Sequence, residues 1–362
     1  MHWHMAAVAA AFVTALAATP LARKLAFAAG AVDRPDGQRK VHGKIMPRAG
    51  GLAVYAGFAA GALILGRLSP AAVGIIAGGS LIVLLGFIDD WRGVSPWVKL
   101  AGQVAAALVA VRFGLRVEFL TNPFDGGVFD LGLWSVPVTV FWIVAVTNAL
   151  NLIDGLDGLA GGTAGMAALT LACVVWVDML QNGVSPVQAE AVGLALALAA
   201  AVAGFLPYNF YPARVFLGDC GSLFLGYTLA VLAVMGLAKG ATFISVVIPV
   251  VILGIPLLDT AMAVVRRLFK RRPVFQPDRE HLHHRLLQAG MSHVQAVLCL
   301  YAVNALLGVS ALVMTVVTPS WAVVTLIALS TASLAAANKL SAAGAGNRTV
   351  YTPAAEKQQR SP

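Results

Sequence analysis

The sequence predicts an all-α integral membrane protein, a bundle of about eleven transmembrane helices with its N-terminus outside and its polar loops cytoplasmic. Three observations predict it. Of 362 residues, 59% are hydrophobic and only 11% are charged, with a mean hydropathy of +0.83; a soluble domain carries about a quarter charged residues. Apolar stretches approaching the ~20 residues needed to cross a bilayer recur along the whole chain. The basic residues, in turn, are shared unequally between alternate loops.

The spans fall at roughly 5–22, 49–66, 71–88, 100–115, 134–150, 160–178, 189–206, 218–238, 243–265, 297–316 and 320–338, the fourth being short. The first has no Lys or Arg before it, and Arg23 and Lys24 after it. That is the wrong polarity for a signal peptide, so it is read as a helix whose N-terminus lies outside. Arg67, Arg112, Arg116 and Lys239 then fall on one side, and the other 21 of the 25 Lys and Arg on the opposite side. The basic side is cytoplasmic. Its loops are about 23–48, 89–99, 151–159, 207–217 and 266–296.

Residues 1–340 read as one polytopic domain, because no polar stretch is long enough to form a soluble one. Residues 341–362, small and polar and ending in Lys357, Arg360 and Pro362, read as a disordered cytoplasmic tail. The net charge of +9 follows from the loop asymmetry and does not call for nucleic acid as a partner. Cys173, Cys220 and Cys299 have neither metal-ligand nor disulfide spacing and read as small packing residues. No internal repeat of fixed period is present.

The chain has only sixteen acidic residues, and acids at membrane depth are costly and usually functional. Asp89 and Asp90 end the third span in GFIDDWRGVSPWVK, Asp154 and Asp157 lie in NALNLIDGLDGLAGG, and Asp219 opens the eighth span in FLGDCGSLFLGY. The topology puts these three groups on one cytoplasmic face. Asp259 lies inside the ninth span, in PLLDT. Carboxylates with an amide oxygen bind Mg²⁺, which keeps phosphate oxygens in its shell. Gly155, Gly158, Gly161, Gly162, Gly218 and Gly221 let backbone approach a ligand. Lys99, Arg214, Arg266, Arg267, Lys270 and Arg285 supply cations in the same loops. Acids for a metal beside cations for phosphate are the parts of a phosphoryl-transfer site. Taken singly, Asp154, Asp157 and Asp259 could equally cap or brace helices. Adjacent carboxylates at 89–90 are more telling, because they repel unless a cation sits between them.

The loop 266–296 contains RRLFKRRPVFQPDREHLHHRLLQAG. Pro277-Asp278 resembles a helix start and Gly290 a helix end. If 279–289 is helical, His281, His284, Arg285 and Gln288 share one face, and Leu282, Leu286 and Leu287 share the other. That face would contact phosphate or a nucleotide; the alternative is a solvated face. Zinc is disfavoured, since HLHH lacks a third soft ligand. The first loop, DRPDGQRKVHGKIMPRAGG, has neither P-loop nor GxGxxG spacing, which argues against an ATPase or a Rossmann enzyme. DGLDGLAGG lacks the AR pair of a CDP-alcohol phosphotransferase. A secondary transporter would hold its acids near the midplane, whereas these lie at one interface.

The ordered set of DRPDGQRKVHGKIMPRAGG, GFIDDWRGVSPWVK, NALNLIDGLDGLAGG, FLGDCGSLFLGY and DREHLHHRLLQAG resembles the bacterial polyprenyl-phosphate N-acetylhexosamine-1-phosphate transferases (glycosyltransferase family 4). These initiate enterobacterial common antigen, O-antigen and teichoic-acid linkage-unit synthesis. The wider superfamily includes the phospho-MurNAc-pentapeptide translocase and the eukaryotic dolichyl-phosphate GlcNAc-1-phosphate transferase. The resemblance spans residues 33 to about 295.

The resemblance implies a bundle of ten or eleven helices in the bacterial inner membrane with a cytoplasmic site. It also implies a reaction of UDP-GlcNAc with undecaprenyl phosphate, giving undecaprenyl-diphosphate-GlcNAc and UMP. Mg²⁺ is the implied cofactor, with Mn²⁺ as a substitute, and a homodimer is compatible with the family. By resemblance, Asp219 and Asn151 are metal ligands, and Asp89 and Asp90 act on the lipid phosphate or the metal. Asp154 and Asp157 match acids important for activity. Lys99 is expected on the diphosphate, and Arg267 at a substrate-binding position. His281, His283 and His284, followed by Arg285, match a motif tied to nucleotide-sugar binding. The motif has Leu282 where enterobacterial members have Ile, and Cys220 occupies a variable position. The motif forms are closer to the GlcNAc branch than to the MurNAc-pentapeptide branch.

Overall fold

The computed structural model describes residues 2–34, 45–66, 69–121, 127–237, 243–269 and 281–316. Helix α1 (His2–Ala29) leads through strands β1 (Val32–Asp33) and β2 (Met46–Pro47) to α2 (Gly50–Ile64), α3 (Pro70–Arg92) and α4 (Pro96–Arg112). A small antiparallel pair, β3 (Phe119–Thr121) and β4 (Val128–Asp130), precedes α5 (Ser135–Ile153), α6 (Leu159–Asn182), α7 (Pro186–Asn209) and α8 (Asp219–Leu237). Then follow α9 (Phe243–Ile252), α10 (Gly254–Phe269), the short α11 (Leu282–Gln288) and α12 (His293–Val316). The protein is a helical membrane protein. Among the described residues, seven helices (α1, α3, α5, α6, α7, α8 and α12) are long and apolar enough to cross a bilayer.

Ten of the eleven expected spans coincide with helix; the eleventh, 320–338, and the tail lie outside the described residues. The ninth, expected as one helix over 243–265, is two. The break comes at Leu253, ahead of Pro256 in the first turn of α10, which has no N–H for the Ile252 carbonyl and crowds it with its ring; Gly254 stands at the junction. Helices also run beyond the apolar stretches. α1 continues past Arg23 and Lys24, α3 includes both Asp89 and Asp90, and Lys99 lies in the first turn of α4. The turn 93–95 is therefore all that separates α3 from α4. Local signals explain it: Gly93 ends α3 with φ 69°, and Ser95 caps α4 ahead of Pro96. Ser69-Pro70 and Ser185-Pro186 start α3 and α7 with the same pair of residues.

Helix α8 is the axle of the bundle, buried at every residue from Cys220 to Leu237 and packed against α2, α3, α5, α6 and α7. Trp91 and Trp97 are exposed at the acid-bearing end, and Trp134 and Trp176 toward the other, as aromatic residues are at the two interfaces of a bilayer. Near its N-terminus α8 meets its neighbours backbone to backbone. A Cβ on Gly51 of α2 would lie 2.1 Å from Gly221 N, and one on Gly86 of α3 would lie 2.4 Å from Cys220 Cα. Main chain cannot yield as a side chain can. Gly51→Ala is therefore expected to lower stability by about 1–3 kcal/mol, read as thermal unfolding in detergent. Gly161→Ala, whose Cβ would find its nearest atom at 3.7 Å, should leave the transition in place.

Candidate active site

The acids gather at one end of the bundle because α3 and α5 end there while α4, α6 and α8 begin there. Lys99 Nζ lies 2.8 Å from Asp89 Oδ2 and also pairs with Oδ2 of Asp219. One ammonium thus holds two carboxylates from different helices. The other Asp89 oxygen accepts the Val94 N–H at 2.8 Å, which fixes the α3–α4 turn. Asn151 Nδ2 donates to Asp219 Oδ1 and to Ser222 Oγ, both at 2.9 Å. One turn earlier, Asn148 exchanges amide hydrogen bonds with the buried Gln103 of α4, at 2.6 and 3.2 Å. That exchange sets the rotation of α5 that brings Asn151 to the site.

Asp90 has a different surrounding. Its Oδ1 accepts the backbone N–H of Asp219 and its Oδ2 that of Cys220, each at 3.0 Å. It therefore caps α8 from another helix, satisfying two N-terminal donors and meeting the positive end of the helix dipole. Gly218 adopts φ 75°, and a Cβ there would lie 2.6 Å from Asp90 Oδ2. Glycine in the GD pair is thus required both by conformation and by space.

Asp154 ends α5 and sits among like charges. Burial first, then Asp219 and Asp90, push its carboxyl up to about 8, against the opposing pull of Arg48. Asp157 faces the other way. Its Oδ2 accepts the Ala213 N–H at 2.9 Å, while its own N–H donates to His293 Nε2 at 2.9 Å. It ties the 154–158 turn to the loop before α8 and to α12. Tyr301 Oη completes the brace by donating to Gly158 O at 2.6 Å.

The histidine segment differs from the expected amphipathic face. Its helix begins only at Leu282, and residues 270–280, including Pro277 and Asp278, lie outside the described residues. Gly290, with φ 92°, ends it as expected. His281 and His283 are buried, His284 is half-buried, and Arg285 and Gln288 are exposed, so the four polar residues do not form one face. The cause is Asp259. Its Oδ2 is hydrogen-bonded to His281 Nδ1 at 2.9 Å, and its Oδ1 accepts the Leu282 N–H at 2.9 Å. His283 stacks on His281 and packs on the acid turn, where a Cβ on Gly155 would lie 2.3 Å from its Nε2. Burial pushes the His283 imidazole down to about 3, so it is neutral at working pH. Its Nδ1 is buried without a hydrogen-bond partner among the described residues. Asp259→Ala should release α11. Hydrogen exchange at 282–288 is expected to rise by about tenfold or more while α8 stays protected, since leaving a buried group unpaired costs about 1–3 kcal/mol.

Asp89, Lys99, Asn151 and Asp219 are thus in direct contact, with Asp90 behind Asp219 and Asp154 beside it. Asp157 and Asp259 lie one layer out, and Arg267 is half-buried in the last turn of α10. Sequence reasoning missed Arg48, Asp33, Ser222 and His293. The first two stand in the basic first loop, where no local pattern marks which cation turns toward the acids.

Among the described residues no three His, Cys, Asp or Glu side chains converge as a finished metal cage. Mg²⁺ does not need one, since it binds through one or two carboxylates and takes substrate phosphates for the rest. Asp89 and Asp219, already drawn together around the Lys99 cation, with the amide of Asn151, are a donor set of that kind.

A model of glycosyl transferase family 4 matches residues 72–237, which include all of these acids except Asp33 and Asp259. The chain is 41% identical over 303 residues to the "Probable undecaprenyl-phosphate N-acetylglucosaminyl 1-phosphate transferase" of Bacillus subtilis, covering 83% of this chain and 82% of that one. It is 36% identical to the decaprenyl-phosphate N-acetylglucosaminephosphotransferase of Mycolicibacterium smegmatis, over 78% and 75% of the two chains. It is 32% identical to the undecaprenyl-phosphate alpha-N-acetylglucosaminyl 1-phosphate transferase of Escherichia coli K12, over 79% and 77%.

Proposed function

This chain belongs to glycosyl transferase family 4, and from that premise we propose that it transfers GlcNAc-1-phosphate from UDP-GlcNAc to undecaprenyl phosphate. The products are undecaprenyl-diphosphate-GlcNAc and UMP, in the first membrane step of a cell-envelope polysaccharide. The observation that carries the proposal is the contact set of Asp89, Lys99, Asn151 and Asp219 at one end of the bundle. A transporter would keep such acids near the midplane; here they sit at helix ends. Together with the loop charges, this supports a cytoplasmic site on the inner membrane.

In the proposed mechanism an oxygen of the lipid phosphate attacks the β-phosphorus of UDP-GlcNAc. The new P–O bond forms as the bond to the bridging oxygen breaks, and that oxygen leaves with UMP. The second pKa of a phosphate monoester is about 6, so the nucleophile is already ionised and needs no strong base. Asp89, Asp219 and Asn151 would hold Mg²⁺, which supplies charge neutralisation to the diphosphate. Lys99 lies beside that donor set and can follow charge from the diphosphate to the leaving UMP. Asp90 fixes the height of Asp219 by capping α8. His283, neutral and packed on Gly155, backs the acid-bearing turn without adding charge.

The test is UMP release by the purified protein in detergent with undecaprenyl phosphate and Mg²⁺, with and without chelator. Chelator-sensitive release with UDP-GlcNAc but not with UDP-MurNAc-pentapeptide is expected. Release with the pentapeptide alone would move the protein to the other branch, and none with any UDP-sugar would end the transferase reading.

A further inference from the structure

Arg48 reaches the site from a part of the chain far removed from the acid motifs. Its backbone is strapped on both sides. Arg48 N donates to Ala31 O at 2.9 Å, and Arg48 forms a parallel bridge with Phe216, whose N–H bonds Pro47 O at 2.9 Å. Gly50 and Gly51 then donate to Phe216 O and Leu217 O at 3.0 and 2.9 Å. This strap lays residues 47–51 against the segment 216–217 that runs into Gly218 and Asp219. A Cβ on Gly218 would lie 3.0 Å from Arg48 O.

The side chain is oriented as well. Nη2 of Arg48 lies 2.8 Å from Oδ1 of the buried Asp33, while the Arg48 side chain is 38% exposed. Asp33 engages one nitrogen, and a guanidinium carries five N–H donors in a planar fork suited to phosphate oxygens. A strongly acidic site that must admit two phosphate-bearing substrates needs such a cation.

We propose that Arg48, held by Asp33, is a phosphate-binding residue of this site and takes an oxyanion of one of the two substrates. Asp33 is its positioning residue. The proposal rests on the transferase reading for the identity of the substrates, but not for the phosphate chemistry.

The experiment measures binding and turnover separately. Dissociation constants for undecaprenyl phosphate and for UDP-GlcNAc are determined by calorimetry on the full chain in detergent, together with KM for each. The proteins are the wild type, Arg48→Gln, Arg48→Lys and Asp33→Asn. Arg48→Gln is expected to weaken one ligand by about tenfold or more, the loss of a charge-assisted bond, and to leave the other within about twofold. Arg48→Lys should recover part of that loss, because it restores the charge but not the fork. Asp33→Asn should weaken the same ligand by about threefold, in keeping with the loss of orientation rather than charge. Loss of the lipid phosphate assigns Arg48 to the acceptor, and loss of UDP-GlcNAc assigns it to the donor; either supports the proposal. Unchanged affinities, or both weakened equally, would overturn it. Should Arg48→Gln misfold once Asp33 has lost its Arg48 ion pair, the double variant Asp33→Asn/Arg48→Gln removes the Asp33 charge and takes its place. A wild type that binds both ligands but releases no UMP would defeat the transferase reading alone.

Discussion

Replacing Asp219 with Ala is expected to lower UMP release by about 10³-fold or more, the scale of removing a principal electrostatic group from a catalytic site, while leaving the fold intact. Asp219 stands at the first position of α8, where it meets Lys99 and Asn151 together. Its loss leaves Lys99 with Asp89 alone. It also relieves repulsion on Asp154, which offsets the lost Lys99 ion pair and Asn151 hydrogen bond, so thermal unfolding in detergent should occur at nearly the same temperature. Inactivity with undiminished stability is the signature of a ligand or substrate contact. A variant that lost both together would mark Asp219 as a structural cap instead.

Asp90 is expected to give the opposite pairing of effects. Both of its oxygens are spent on the Asp219 and Cys220 amides. Asp90→Ala strips α8 of two charge-assisted hydrogen bonds, each worth about 1.5–3 kcal/mol, and lets Asp219 drift. Activity should fall by about 10²-fold or more, as an ångström of misplacement allows, and the unfolding temperature should fall with it. Asp90→Asn keeps one acceptor but turns an NH₂ toward the second amide, so it should lie between. If Asp90 were a proton acceptor, its Asn variant would lose activity at unchanged stability with an altered pH profile. Activity and thermal unfolding measured on the same preparations separate the two roles.

The helices were legible in the sequence because apolar runs and Ser-Pro starts are local signals, and local signals decide where a helix begins and ends. The gathering of the acids was legible too, since alternation of spans puts the ends of α3 and α5 beside the starts of α4, α6 and α8. What the sequence concealed was pairing. That Asp90 caps α8 across 129 positions, or that Asp157 holds Ala213, depends on which elements touch, and no periodicity carries that. The histidine segment shows the same limit. A helical wheel puts His281 on a polar face, but a buried Asp259 on another helix turns it inward. The break of the ninth span was signalled by Gly254 and Pro256, but an apolar run on both sides masked it.

The glycine contacts of α8 divide the protein into a stiff half and a compliant half. Where Gly51 faces Gly221 and Gly86 faces Cys220, main chain bears on main chain with no side chain to act as a spring. Asp89, Asp90 and Asp219 are mounted on that stiff half and share one fixed frame. The 154–158 turn, α11 and the start of α12 are held to the loop before α8, to α10 and to one another by a few hydrogen bonds and stacked rings, from Asp157, Asp259, Tyr301 and the Tyr211–His293 pair. Such joints can part and close again without disturbing the frame. Whatever passage admits a bulky nucleotide and releases its product therefore works on the compliant side, and Asp89, Asp90 and Asp219 stay still while it does.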